Sequence, residues 1–316
     1  MSILHIVVGA TAMIKHKKTV DVCNAYIREK EIKSLKISSI SNYYTKLNAY
    51  VIPHLPEKFW KTKEEDVIHL VESIKKNVSQ NTLISYTVLI NDFFKFANNK
   101  KYTKQIVALP YPRKTKTNIV IFNSEEQEIL ENYLLKNLNH FNLVILIALR
   151  TGIRLGELGA LKVKDIDNEK LHVNFAMQRV QNFDDTTSKT KIIISTPKSS
   201  AGVREIPFEE LYDCFSQLEY QSDESFITSG NNDYIDPRTI ERRFKDILIA
   251  CGIKVRKFHA LRDTFATNCA RAGMDIKVLA EILGHSNTNI TLQYYIYVDF
   301  EYKAENMRKL RPLYQI

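Results

Sequence analysis

Seven residues in the second half of the 316-residue chain are of types and at spacings that can carry chemistry: Arg154, Glu157, Lys198, His259, Arg262, His285 and Tyr294. Two arginines, a lysine and two histidines supply enough donors and positive charge to surround one phosphodiester. A guanidinium donates two parallel hydrogen bonds to phosphate oxygens and keeps its charge at neutral pH. Arg154 and Arg262 are therefore expected to hold the phosphate. Negative charge grows on the equatorial oxygens as phosphorus becomes five-coordinate, and fixed donors there favour the transition state over the ground state. His259 lies three residues before Arg262 on one helical face. Its imidazole titrates near neutrality and suits either accepting a phenol proton or donating to a phosphate oxygen. His285 follows a helix stop at Gly284 and is expected to hydrogen-bond the phosphate. Tyr294 is the nucleophile by spacing, with Tyr295, Tyr297 and the more distant Tyr302 as rivals. On a helix Tyr294 and Tyr295 point about 100° apart, so only one faces the phosphate. Such a set cuts and rejoins DNA through a tyrosyl-phosphate link, in two transesterifications that conserve bond energy. Neither metal nor ATP is needed, and no acidic cluster suited to Mg²⁺ or Gly-rich phosphate loop appears, so no cofactor is expected.

The elements that position these residues are mostly helical. In the front half, apolar spacing predicts helices over 19–31, from a cap at Ser38 or Ser39 to Pro53, from a capping box at Thr62–Glu65, and from a cap at Ser79. The stretch KKYTKQIVALPYPRKTKT (100–117) breaks that pattern with two prolines and several lysines, and reads as a basic linker. Ser124–Gln127 is a second capping box. An apolar helix follows and stops at Thr151-Gly152, and a short helix then carries Arg154 through Leu161. Candidate strands cover 171–178, 191–196 and 203–208, with the last two flanking a hairpin-like turn, Pro197–Gly202. Further helices are expected from Asp236-Pro237 to Gly252, over 259–272 and 275–283, and at roughly 288–298 and 300–310. The division expected is a tail over 1–17, a helical domain over 18–100, a basic linker over 101–122, and a catalytic domain with its C-terminal tail over 123–316.

Three boxes resemble those of the tyrosine recombinases, the phage-integrase and Xer-like group. They are ALRTGIRLGELGALKVKDID (148–167), HALRDTFAT (259–267) and LAEILGHSNTNITLQYY (279–295). The pair that follows Tyr294, Tyr-Ile, departs from the family's usual Thr-His and leaves the register of the nucleophile slightly open. The resemblance implies a mainly α fold with a small antiparallel β-sheet: a helical, SAM-like core-binding domain and a mixed α/β catalytic domain, closing as a C-shaped clamp on duplex DNA. It implies strand exchange by a tetramer on two DNA sites. It assigns Glu157, on the face of Arg154, to holding that arginine, and Lys198, at a strand turn with Lys189, Lys191 and Arg204 close by, to protonating the departing 5′ oxygen. It also implies that the apolar end of the chain (Leu310, Pro312, Leu313, Tyr314) docks on a neighbouring subunit. Accessory DNA-bending or directionality proteins belong to the same expectation.

Charge agrees with a polyanion partner. The net charge is +9, and residues 1–122 hold 20 Lys+Arg against 9 Asp+Glu. DNA contacts are expected from the helix opened by Ser79, with Asn81 and Thr82 beside it, and from Arg238, Arg242 and Arg243. No apolar run is long enough to span a membrane. The four cysteines lack metal or disulfide spacing, and a reducing cytoplasm with the protein on the nucleoid fits. The apolar start, MSILHIVVGATAM, is expected to be a disordered or loosely docked tail, with Met13 an alternative start. The length suggests no arm-type DNA-binding domain ahead of residue 18. The competing readings are a DNA-binding protein of this fold without catalysis and a topoisomerase that shares the pocket.

Overall fold

Helices form in the first half where the apolar spacing places them, and the differences lie at their ends. The computed structural model describes residues 5–8, 15–115, 119–183, 188–197 and 199–296, with 304, 307 and 308 beyond. β1 (His5–Val8) is followed by α1 (Thr19–Ile32) and α2 (Ile37–Lys46). Ser38 and Ser39, expected as caps, lie inside α2, because the Ser39 and Ile40 amides already bond the Lys36 carbonyl. The chain continues through a π-helical turn, Leu47–Val51, into α3 (Ile52–His54). Pro53 therefore stands one residue before the end rather than at it. It lacks the N–H that would bond the carbonyl four residues back, and the widened turn lies directly upstream. α4 (Glu64–Asn77) takes its cap one residue later than expected, with the Lys63 amide donating to the Asp66 carboxylate at 2.7 Å. Thr62 instead donates its hydroxyl to the Phe59 carbonyl. α5 (Gln80–Asn99) is capped by Ser79 as expected. Tyr26, Phe59, Phe93 and Phe94 meet edge to face in the core of this unit.

The basic stretch after α5 is not a free connection. Its residues 105–108 form β2 (Gln105–Ala108), antiparallel to β1, so part of the expected tail is paired as well. Asn91 donates to the Leu109 carbonyl at 3.0 Å and accepts from the Leu109 amide at 2.8 Å. Asn81 makes the same double contact with Thr115. One carboxamide satisfies both backbone groups of an extended residue, which lays this chain along α5.

By contact the chain forms two compact units, one of Met1–Thr117 with Arg179–Lys191, the other of Asn118–Gln178 with Ile192–Ile316. In the second, α6 (Ser124–Lys136) is capped by Asn123, one residue before the expected Ser124, in a reciprocal pair with Glu126. α7 (His140–Thr151) is apolar and buried along nearly its whole length and forms the centre of the core. Around it come α8 (Leu155–Ala160), β3 (Lys170–Val173), β4 (Ala176–Gln181), β5 (Thr190–Ser195) and β6 (Arg204–Pro207). The expected strand over 171–178 is thus two strands. β3 pairs with β6 and β4 with β5, so β5 and β6 do not form the expected hairpin. Pro197 lacks an amide for such a ladder, and Gly202 folds so close to it that an added Cβ would lie 2.3 Å from the proline Cβ. The outer part of the β4–β5 ribbon groups with the first unit, where the Gln181 amide donates to Ser41 Oγ and Phe183 meets Tyr44.

The remaining helices are α9 (Glu209–Ser216), α10 (Pro237–Ala250), α11 (His259–Arg271), α12 (Ile276–Leu283) and α13 (Thr288–Ile296). The apolar C-terminal plug at 310–314 lies outside the described residues. All four cysteines are free thiols. Among the described residues no helix is long and apolar enough to cross a membrane, and no cluster of His, Cys, Asp or Glu is placed to hold a metal ion.

Candidate active site

Two left-handed turns set the site. Gly152 ends α7 at φ 63°, where a Cβ would meet Phe265 at 2.6 Å and Leu283 at 2.9 Å. Gly284 ends α12 at φ 65°, where a Cβ would meet the Ala201 carbonyl oxygen at 2.8 Å and Arg204 Nη1 at 2.9 Å. Both positions need the conformation and the space that only glycine offers. The first turn puts Arg154 at the N-cap of α8, and the second presents His285.

The three arginines at this point grip three successive carbonyls at the end of α12. Arg204 Nε donates to Ile282 O at 2.5 Å, Arg262 Nη2 to Leu283 O at 2.7 Å, and Arg154 Nη2 to Gly284 O at 3.0 Å. The last carbonyls of a helix lack intrahelical partners and carry the negative end of its dipole, so cations are stabilised there. Glu157 ties two of the three together. Its Oε1 accepts from Arg154 Nη1 at 2.7 Å, and its Oε2 accepts from Arg204 Nη2 at 2.9 Å and from the Arg154 amide at 3.1 Å. Burial opposes the charge on Glu157, but Arg204 and then Arg154 outweigh it and hold the carboxyl below its ordinary value. The side chains of Arg204 and Arg262 are almost closed off, whereas that of Arg154 remains 36% exposed. Arg154 thus has the room to meet an incoming anion.

Arg262 also donates to Gly152 O at 2.7 Å and approaches His285 Nε2 at 2.8 Å. Burial first, then the charge of Arg154, lowers its titration to about 9, so the guanidinium is still charged at neutral pH. A guanidinium only donates, so Nε2 of His285 accepts, and the ring proton sits on Nδ1 and points to Thr291 Oγ1 at 2.8 Å. Burial and the charges of Arg262, Arg154 and Arg204 push His285 down to about 4, which fixes it neutral.

Tyr294 sits differently. It is 2% exposed, in a small apolar cluster with Ala266, Ala270, Leu279 and Leu283. Its hydroxyl donates to Asp263 Oδ1 at 2.8 Å, and burial followed by that carboxylate pushes the phenol above its ordinary range. His259 is exposed at the start of α11, with Nε2 3.7 Å from the same Asp263 oxygen. Arg154 with Glu157 and Arg262 with His285 are therefore two bonded pairs joined through the end of α12, and His259 and Tyr294 meet through Asp263. Lys198, Tyr297 and Tyr302 lie outside the described residues, as does the side chain of Tyr295. The sequence reading gave Arg204 no role of its own and missed Asp263 and Thr291. Of the expected DNA contacts, Ser79 and Thr82 cap α5, Asn81 is spent on Thr115, and Arg243 lies over the Phe141 ring at 5.3 Å. Arg238 and Arg242 are exposed on α10.

Comparison with known proteins agrees with this fold. The phage integrase family model matches residues 120–301. The chain is 30% identical to the tyrosine recombinase XerC-like protein of Caldanaerobacter subterraneus subsp. tengcongensis, over 92% of this chain and 75% of that one. It is also 30% identical to the transposase from transposon Tn916 of Enterococcus faecalis, over 52% of this chain and 44% of that protein's length. Among solved structures it is similar in fold to the Tn1549 transposon integrase in complex with a circular intermediate DNA. That match has a TM-score of 0.71 and 22% identity, over 93% of this chain and all of that one. The lambda integrase tetramer bound to a Holliday junction aligns with a TM-score of 0.65 and 16% identity, over 90% of this chain and 80% of that one. The chain belongs to the phage integrase family, the tyrosine recombinases.

Proposed function

We propose that this tyrosine recombinase cleaves and rejoins DNA at a specific site through a covalent 3′-phosphotyrosine, with Tyr294 as nucleophile. The observation that carries the reading is the two joined pairs, Arg154 with Glu157 and Arg262 with His285, with the phenol of Tyr294 held on the adjoining helix pair. Arg154 and Arg262 take the non-bridging oxygens of the scissile phosphate, and neutral His285, oriented by Thr291, stands beside them. As the Tyr294 oxygen bonds to phosphorus, the bond to the 5′ oxygen breaks. His259, which shares Asp263 with the phenol, receives its proton, and Lys198 supplies one to the departing oxygen. A 5′ hydroxyl of a partner strand then attacks the link, releases Tyr294 and reseals the strand. Loss of one fixed donor to the developing charge costs about 10²–10³ in rate.

The solved relatives support a wider assembly. The lambda integrase was captured as a tetramer on a Holliday junction, which supports a tetramer of this chain on two double-stranded DNA sites. The relatives encoded by transposons favour service to a mobile element, acting on DNA in the cytoplasm with accessory DNA-bending or directionality proteins. Exposed Arg238 and Arg242 are the α10 residues proposed to meet DNA.

A nicked suicide substrate tests the reading. Wild-type protein forms a covalent adduct only on its own site, and Tyr294→Phe forms none. An adduct that survives in Tyr294→Phe rejects the nucleophile, and relaxation of supercoiled DNA without site preference favours the topoisomerase instead.

A further inference from the structure

Arg204 has no place in the chemistry proposed above, yet it is among the most bonded side chains of the second unit. It lies on β6 opposite Val173 of β3, on the same inward side of the strand as buried Ile206. Its side chain is 6% exposed. Its three nitrogens reach three different segments: Nε to Ile282 O at the end of α12, Nη1 to Gly202 O at 3.0 Å in the turn before β6, and Nη2 to Glu157 on α8. A cation this buried is costly unless its donors find partners, and this one makes a hydrogen bond from each of its three nitrogens, all of them to protein groups.

We propose that Arg204 is a positioning residue for the strand-transfer reaction, which sets Arg154 through their shared carboxylate, Glu157, and sets His285 through the end of α12. The proposal rests on the recombinase reading of the site. Glu157 offers one oxygen to the Arg154 guanidinium and the other to Arg204, so the carboxylate is fixed from both sides and cannot rotate away from Arg154. The hold on Ile282 completes the ladder of three guanidiniums on residues 282–284, immediately before His285. Gly202 belongs to the turn that carries Lys198 in sequence, so Arg204 also fixes one side of that turn. An arginine is required because a lysine ammonium does not span three acceptors in one plane.

The test is a double-mutant cycle read in single-turnover cleavage of a nicked site. Arg204→Met loses about 100-fold in cleavage rate, as when a group that orients an active residue is removed. Arg204→Lys, which keeps the cation beside Glu157 without the fork, falls between Arg204→Met and wild type. In a Glu157→Gln background the loss on Arg204→Met shrinks by at least about 10-fold, because contacting residues that act as a unit are not additive. Site affinity and its salt slope stay at wild-type values, since the proposal gives Arg204 protein partners and no phosphate. If Arg204→Met melts below the assay temperature, Arg204→Lys carries the cycle alone. Losses that multiply in the double variant overturn the proposal, as does a wild-type cleavage rate in Arg204→Lys and Arg204→Met. A salt slope reduced by about one, the mark of a lost phosphate contact, overturns it too. Wild-type protein that forms no adduct sinks the recombinase reading instead. The positioning claim is then read from the Arg154 guanidinium resonances, ordered in wild type and averaged in Arg204→Met.

Discussion

The two halves of the site are built on opposite plans. On one side Arg154, Arg204, Arg262, Glu157 and His285 are linked by short bonds before any DNA arrives, anchored on three carbonyls of one helix end. On the other side the Tyr294 phenol is buried in a small apolar cluster and donates a hydrogen bond to Asp263. Folding alone prepares the cationic wall, since its donors are oriented without reorganisation when charge develops. The nucleophile must still be delivered, and its phenol is neutral where it rests.

The largest effect is expected on the wall. Arg262→Lys keeps a charge but abandons the fork that joins Gly152, Leu283 and His285, and cleavage in a single turnover falls about 10²–10³-fold. A change under tenfold would mean that charge alone suffices and the wall is not preorganised. Gly284→Ala forces a side chain into the left-handed region and against the Ala201 carbonyl and Arg204. It costs about 1–3 kcal/mol of stability, measured by denaturant unfolding, and cleavage falls with it. Unaltered stability would show that the helix end tolerates rearrangement.

How much of this was legible depended on whether a residue's signal lay in its neighbours along the chain. Gly152 and Gly284 read as helix stops because the apolar period ends at them. Arg154, His259, Arg262, His285 and Tyr294 fall inside boxes of fixed spacing. Arg204 had no box, although alternation along β6 places it on the side of Ile206, and an arginine on an apolar face implies a buried partner. Asp263 sits one turn after His259, an i,i+4 relation that also announces the contact. Strand pairing was the part least open to sequence. Alternation marks β5 and β6 as strands, but nothing in it says that each pairs with an earlier strand. The paired chain at 105–108 was hidden because it pairs with β1, far away in sequence.

Smaller effects concern protons. Asp263→Asn removes the carboxylate that favours the neutral phenol, so the rise of cleavage rate with pH moves to lower pH; an unmoved profile would detach Asp263 from the nucleophile. His285 is held neutral by the fold, with its titration lowered from 6.5 to about 4. The stability linked to that neutrality is complete above about 6.5 and is lost as pH falls towards 4, because the unfolded chain takes up the proton first. Unfolding measured across this window should be less pH-dependent in His285→Gln than in wild type; parallel curves would show that His285 does not titrate differently in the fold.

The most direct measurement is peptide mapping of the trapped adduct by mass spectrometry. Digestion of protein captured on a nicked site should yield one peptide bearing a nucleotide phosphate, fragmenting to Tyr294. A phosphate on Tyr295, Tyr297 or Tyr302, or a capture without any linked peptide, would contradict the assignment of the buried phenol as the group that attacks DNA.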